Sequence, residues 1–195
     1  MPSDASSSRL DCATVVEKVA KISEFIAGDL EMRTLHGMQA AGTYLLLARS
    51  PQSPVAQALR ANAQSLAAAN VSVRVIFCEI EPAAAEAAGK PFGLSGETRI
   101  ARDSRLLAAH EQLVLAPDRA WIGDCMRREP TKRDTYERFA ANAPEAATMA
   151  TRSFERLWSS AAPLRSHPQV PPALAPHLSG FAGSAFARPE SFRRQ

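Results

Sequence analysis

Two apolar runs on either side of an alanine-rich segment constrain this chain most. Residues 42–48 read GTYLLLA and residues 71–80 read VSVRVIFCEI. A short run that is apolar throughout suits a strand buried on both faces, as in a parallel sheet. The segment RSPQSP at 49–54 breaks the first run. Residues 55–69 then place Leu59 and Leu66 on one helical face. In the second run Val71, Val73, Val75 and Phe77 alternate with Ser72, Arg74, Ile76 and Cys78, a strand pattern. Strand, helix, strand is a βαβ unit, with a right-handed crossover expected. The fold expected is α/β in three layers, with a mixed, mostly parallel sheet flanked by helices.

The rest of the chain fits around that unit. Val15, Val16, Val19, Ile22, Phe25, Ile26 and Leu30 recur at helical spacing, with Glu17 and Lys21 one turn apart on the wet side. Residues 82–96 hold an alanine-rich turn and a Gly/Pro loop, and 98–102 suit a short strand. Residues 111–116 and 119–123 are apolar segments around Pro117-Asp118, which reads as a hairpin. Residues 135–142 and 145–158 look helical, split at Pro144, with Met149, Phe154, Leu157 and Trp158 facing inward. Six of the fourteen prolines fall between 163 and 189, so the folded domain is expected over 10–162. A disordered, serine-rich segment at 1–9 and a flexible tail at 163–195 are expected to flank it.

Several classes are disfavoured. No apolar run reaches the roughly 18 residues of a membrane helix, so a protein integral to the membrane is not expected. The N-terminus lacks a basic region followed by an apolar one, so no secretory signal is read. Cys12, Cys78 and Cys125 are odd in number and far apart, which suits a reduced, cytoplasmic setting and no structural metal. No cofactor motif is found. The net charge of +3 suggests an anionic partner. However, residues 163–195 carry four arginines against Glu190, so residues 1–162 are neutral, with 19 basic and 19 acidic groups. The basic character belongs to the tail.

The segment most informative about chemistry is 110–128, HEQLVLAPDRAWIGDCMRR. It resembles the phospholipase D superfamily, whose signature is H-x-K, four residues, D, six residues, then G-S/T with Asn two further on. AANVSVRVIF at 68–77 and FERLW at 154–158 resemble segments that flank that signature, so the resemblance covers roughly residues 40–160. His110 stands at the nucleophile position. Gln112 replaces the lysine. Pro117 replaces the aspartate, and Asp118 comes one place late. Gly123 comes one place early, Asp124 stands where Ser or Thr is usual, and Met126 where Asn is usual.

The resemblance implies a phosphohistidine formed on His110, with Gln112, Asp118 and Asp124 as the remaining catalytic positions and Arg127 and Arg128 as phosphate-binding candidates. It also implies a homodimer, because the family site joins two histidines and this chain carries one motif. A phosphodiester is the ligand expected. The departures weaken such a site: losing one positive charge and gaining one negative changes the energy by about 4 kcal/mol per charge at ~4 Å and an effective dielectric near 20, before relaxation. The expectation is therefore a degenerate phospholipase D-like domain without robust phosphodiesterase activity, acting in binding, regulation or assembly. An active homodimeric phosphodiesterase is the alternative, and a tail carrying Phe181, Phe186 and Phe192 as an interaction segment is a third.

Plainer roles stand beside these. His110 suits a strand junction, Asp118 an ordinary turn, and Asp124 a cap after its strand. Arg127 and Arg128 lie near Lys132, Arg133, Glu129, Asp134 and Glu137, a pattern that suits a solvated, salt-bridged surface. Trp121 and Trp158 suit core anchors.

Overall fold

The structure is a computed structural model and describes residues 15–37, 41–79, 94–127 and 136–164. Helix α1 spans Val15–Leu35, β1 Gly42–Ala48, α2 Pro54–Ala61, α3 Ala63–Ala68 and β2 Val71–Phe77. Strand β3 follows at Gly96–Ile100, then a 3₁₀ turn at Ser104–Ala108. Strands β4 (His110–Ala116) and β5 (Arg119–Cys125) form the expected hairpin. They are followed by β6 (Arg138–Ala140), α4 (Pro144–Ser160) and β7 (Ala162–Pro163).

The strands form one mixed sheet in the order β6-β5-β4-β1-β2-β3-β7. Strand β1 pairs in parallel with β2, and β2 with β3; the other pairings are antiparallel. The βαβ unit is present, but the expectation of a mostly parallel sheet is corrected. The hairpin enters on the far side of β1, and a two-residue turn can join only antiparallel strands.

Alternation along β1 divides the core into two. Tyr44, Leu46 and Ala48 pack with Leu113, Leu115 and Trp121 under α1, α2 and α3. Leu45 and Leu47 pack with Val114 and Ala120 under Ala147, Ala150, Phe154 and Trp158 of α4. These are the three expected layers. Trp121 and Trp158 are both core residues, at 2% and 7% exposure.

Several local expectations change, and one is that Met149, expected to face inward, is 72% exposed. The helix read over 55–69 is broken at Asn62, whose Nδ2 donates to the Ala58 carbonyl at 2.8 Å and competes with the helical ladder. Residues 138–140 are strand, not helix. Helix α1 buries Lys18 and Asp29 together with Ile22, Ile26 and Leu30, while Val16 is 77% exposed. The Tyr44 hydroxyl donates to Asp29 Oδ2 at 2.6 Å, and Arg119 lies 3.5 Å from Oδ1, which explains why a carboxylate is tolerated on that face. Last, the domain runs past 162: β7 pairs with β3, and Leu164 N–H donates to the Thr98 carbonyl at 2.9 Å. The segments expected to be disordered, 1–9 and the remainder of the tail, lie outside the described residues. Among the described residues no helix is long and apolar enough to cross a membrane.

Candidate functional site

Strand β4 runs antiparallel to β1, with Gln112 opposite Leu47. The start of β4 therefore lies at the carboxyl end of β1, beside the β1–α2 loop. In open α/β sheets that edge is where ligands usually bind.

The β4–β5 ladder is irregular at this point. His110 pairs with Cys125 and Gln112 with Ile122, so Gly123 and Asp124 together oppose Glu111. This bulge lets the Gly123 carbonyl meet His110 Nδ1 at 2.8 Å. A carbonyl only accepts, so Nδ1 carries the proton of the neutral ring. Nε2 is then the unprotonated nitrogen, the form a nucleophile or acceptor needs. The Tyr136 ring meets the imidazole edge-on at 6.2 Å between centroids. Gly123 has no substitute at this position: a Cβ there would run into the Trp121 indole.

His110 lines a cleft of about 770 Å³ between the sheet and α4. Gln112 forms its floor and is 8% exposed, with Nε2 donating to the Ala150 carbonyl at 3.2 Å. Arg138 of β6 lines the cleft from the same sheet, two strands away from Gln112 through Ile122, and Asn142 and Ser153 line it as well. The first turn of α4 also borders it, with Pro144 at the helix start and no side chain capping the end. An uncapped helix start favours anions, although Glu145 in that turn opposes them.

The other sequence candidates are dispersed. Asp118 sits in the β4–β5 turn at the far end of the hairpin, roughly 20 Å along a seven-residue strand. There its carbonyl accepts the Ala143 N–H at 2.7 Å and holds the entry to α4. Asp124 does not line the cleft; its Oδ1 accepts the Cys125 N–H at 2.7 Å. Arg127 is exposed, and its N–H donates to the Leu107 carbonyl at 2.9 Å. Arg128 lies outside the described residues. His110 and Gln112 are thus brought together, and Asp118, Asp124 and Arg127 are not brought into their cleft.

Arg138 was missed because 135–142 reads as helix. No local signal marks it: Glu137 is buried and Arg138 exposed, with Phe139 packed toward α1, only because of the folded neighbours. A second group lies at the same sheet edge. Glu111 Oε1 accepts the Arg49 N–H at 2.9 Å, and burial raises the Glu111 carboxyl above the usual carboxylate range. Burial also raises Glu137; Lys18 and Lys21 oppose this shift, and Glu111 and Asp124 reinforce it. Arg49 pairs with Glu79 and lowers its pKa. Burial pushes the Cys78 thiol up to about 12, with Glu111 adding to it, which leaves Cys78 inert as a nucleophile near neutral pH. Among the described residues no three His, Cys, Asp or Glu side chains are grouped as a metal site.

No protein-family model matches this chain, and no curated protein matches it in sequence.

Proposed function

We propose that this chain is a phospholipase D-like domain that binds a phosphate ester in the His110 cleft without robust phosphodiesterase turnover, and that it acts through binding, regulation or assembly. One observation carries the reading: an imidazole whose Nδ1–H is fixed by the Gly123 carbonyl lines the same cleft as a guanidinium, Arg138. That pairing suits an anionic ester oxygen near Nε2.

Turnover asks for more. Phosphoryl transfer needs donors and positive charge around the transferring group, and an acid for the leaving oxygen. Among the described residues the cleft has one histidine, and Glu145 offsets the charge of Arg138. Gln112, at the lysine position, is neutral and occupied with Ala150.

The alternative of an active homodimer rests on the exposure of His110, which leaves the ring accessible to a second copy. Both readings meet one experiment. Hydrolysis of bis-p-nitrophenyl phosphate and binding of a dinucleotide are measured for the wild type, His110→Ala and Arg138→Gln. We expect binding weakened roughly tenfold by Arg138→Gln, the loss of one charge-assisted hydrogen bond, and no hydrolysis that depends on His110. Hydrolysis abolished by His110→Ala in a protein that sediments as a dimer would establish the alternative. Absence of dinucleotide binding would remove both readings.

A further inference from the structure

A second groove lies on the other flank of α4, against the amino-terminal half of β1 and the β4–β5 turn. Its volume is about 610 Å³. It shares no lining residue with the His110 cleft. We propose that this groove is a phosphate-binding site, independent of the His110 cleft.

Charge is the first argument. Three guanidinium groups line the groove, from Arg33 of α1, Arg74 of β2 and Arg152 of α4. Glu155 is the single carboxylate among the described lining residues. The groove therefore has an excess of two positive charges, although the domain as a whole is balanced. That excess matches a phosphate dianion.

Geometry is the second argument. Arg74 is pre-organised: it forms a two-pronged pair with Glu155 at 2.6 and 3.2 Å, and its guanidinium lies 4.1 Å over the Trp158 ring. Arg33 belongs to the helix layer on the opposite face of the sheet. It reaches this groove because its guanidinium occupies the space where a side chain at Gly42 would begin. Any larger residue at 42 would displace it. Arg152 and the hydroxyl-bearing Thr148 are exposed on α4, and Thr43 is exposed on β1.

The three guanidiniums thus come from three elements, and the Thr43 and Thr148 hydroxyls bring in β1, and α4 again. A carboxylate offers two oxygens in one plane, whereas a phosphate offers oxygens arranged tetrahedrally. Several donors from separate elements lining one groove suit the phosphate. The groove is open, so binding should weaken with added salt.

The test is calorimetric titration of the full chain with pyrophosphate and, separately, with a dinucleotide that has only a diester phosphate. Saturable pyrophosphate binding is expected, weakened roughly tenfold in Arg33→Gln for the loss of one charge-assisted hydrogen bond. Thr148→Glu should abolish it. This exposed substitution leaves the core intact and keeps the test valid if Arg33→Gln unfolds the chain. His110→Ala and Arg138→Gln should leave pyrophosphate binding unchanged. Arg33- and Thr148-sensitive binding of pyrophosphate alone would assign a terminal phosphate group. The same sensitivity for the dinucleotide would extend the assignment to diesters. No pyrophosphate binding, or binding lost in Arg138→Gln and kept in Thr148→Glu, would overturn the proposal.

Discussion

Gln112 shows how a single position can be legible in sequence and still need a structure for its meaning. By resemblance it occupies a lysine position, and restoring that lysine is the obvious repair. Its side chain, however, is 8% exposed and tied to the Ala150 carbonyl, so it joins the sheet to α4. An ammonium placed there would lose hydration and face a carbonyl with no carboxylate partner described beside it. Gln112→Lys should therefore lower stability by about 2 kcal/mol and leave phosphodiester hydrolysis at background. Urea unfolding followed by tryptophan fluorescence measures the first, and chromogenic diester assays the second. A stable Gln112→Lys with new hydrolysis would mean that the lysine alone had been missing. Asp118 and Asp124 were equally visible in sequence, but the hairpin carries one to its far end and the bulge turns the other away from the cleft. Sequence spacing does not record a register shift.

Among the elements, the βαβ unit and the β4–β5 hairpin were legible because their cues are local. Continuous apolar runs and a Pro-Asp turn each determine their own segment. Strand β6 was not legible. It is three residues long, and its stability comes from its partners: a ladder to β5 and an edge-to-face contact of Phe139 with Phe25 of α1, centroids 5.4 Å apart. Neither partner is near it in sequence. Strand β6 also supplies Arg138 to the cleft, so the cleft depends on that contact. Phe139→Ala should cost about 3 kcal/mol and weaken dinucleotide binding along with it. If thermal melting and titration show the loss of stability with full binding, β6 is positioned by its ladder alone.

At the scale of the whole molecule, the charge balance of residues 1–162 conceals an uneven distribution. Positive charge collects in the groove beside α4, while the carboxyl edge of β1 encloses Glu111, Glu137 and Lys18. Burial raises Glu137, with Lys18 and Lys21 opposing and Glu111 and Asp124 adding to it. An ordinary glutamate loses its proton near 4.5, so the unfolded chain releases this proton at lower pH than the folded one. The folded state is the one that holds the extra proton, and stability from this group falls as pH rises through that interval. Glu137→Gln lacks the effect. Its unfolding free energy, measured in urea at about pH 4 and about pH 7.5, should gain on the wild type as pH rises. An equal difference at both pH values would show that Glu137 titrates normally.

The sequence by itself determined the α/β class, the three layers, the central strand-helix-strand unit, the hairpin and the histidine that opens it. These follow from periodicity and turn chemistry, which act over a few residues. Only the tertiary structure decided that the sheet is mostly antiparallel and that Gly123 fixes the His110 tautomer. It also decided that Arg138 rather than Arg127 lines the His110 cleft, and that the Arg33 guanidinium fills the space beside Gly42. Each of these joins groups far apart in the chain, through a ladder, a bulge or the space left by a missing side chain. Such contacts depend on register and packing, and no local pattern of residues encodes them.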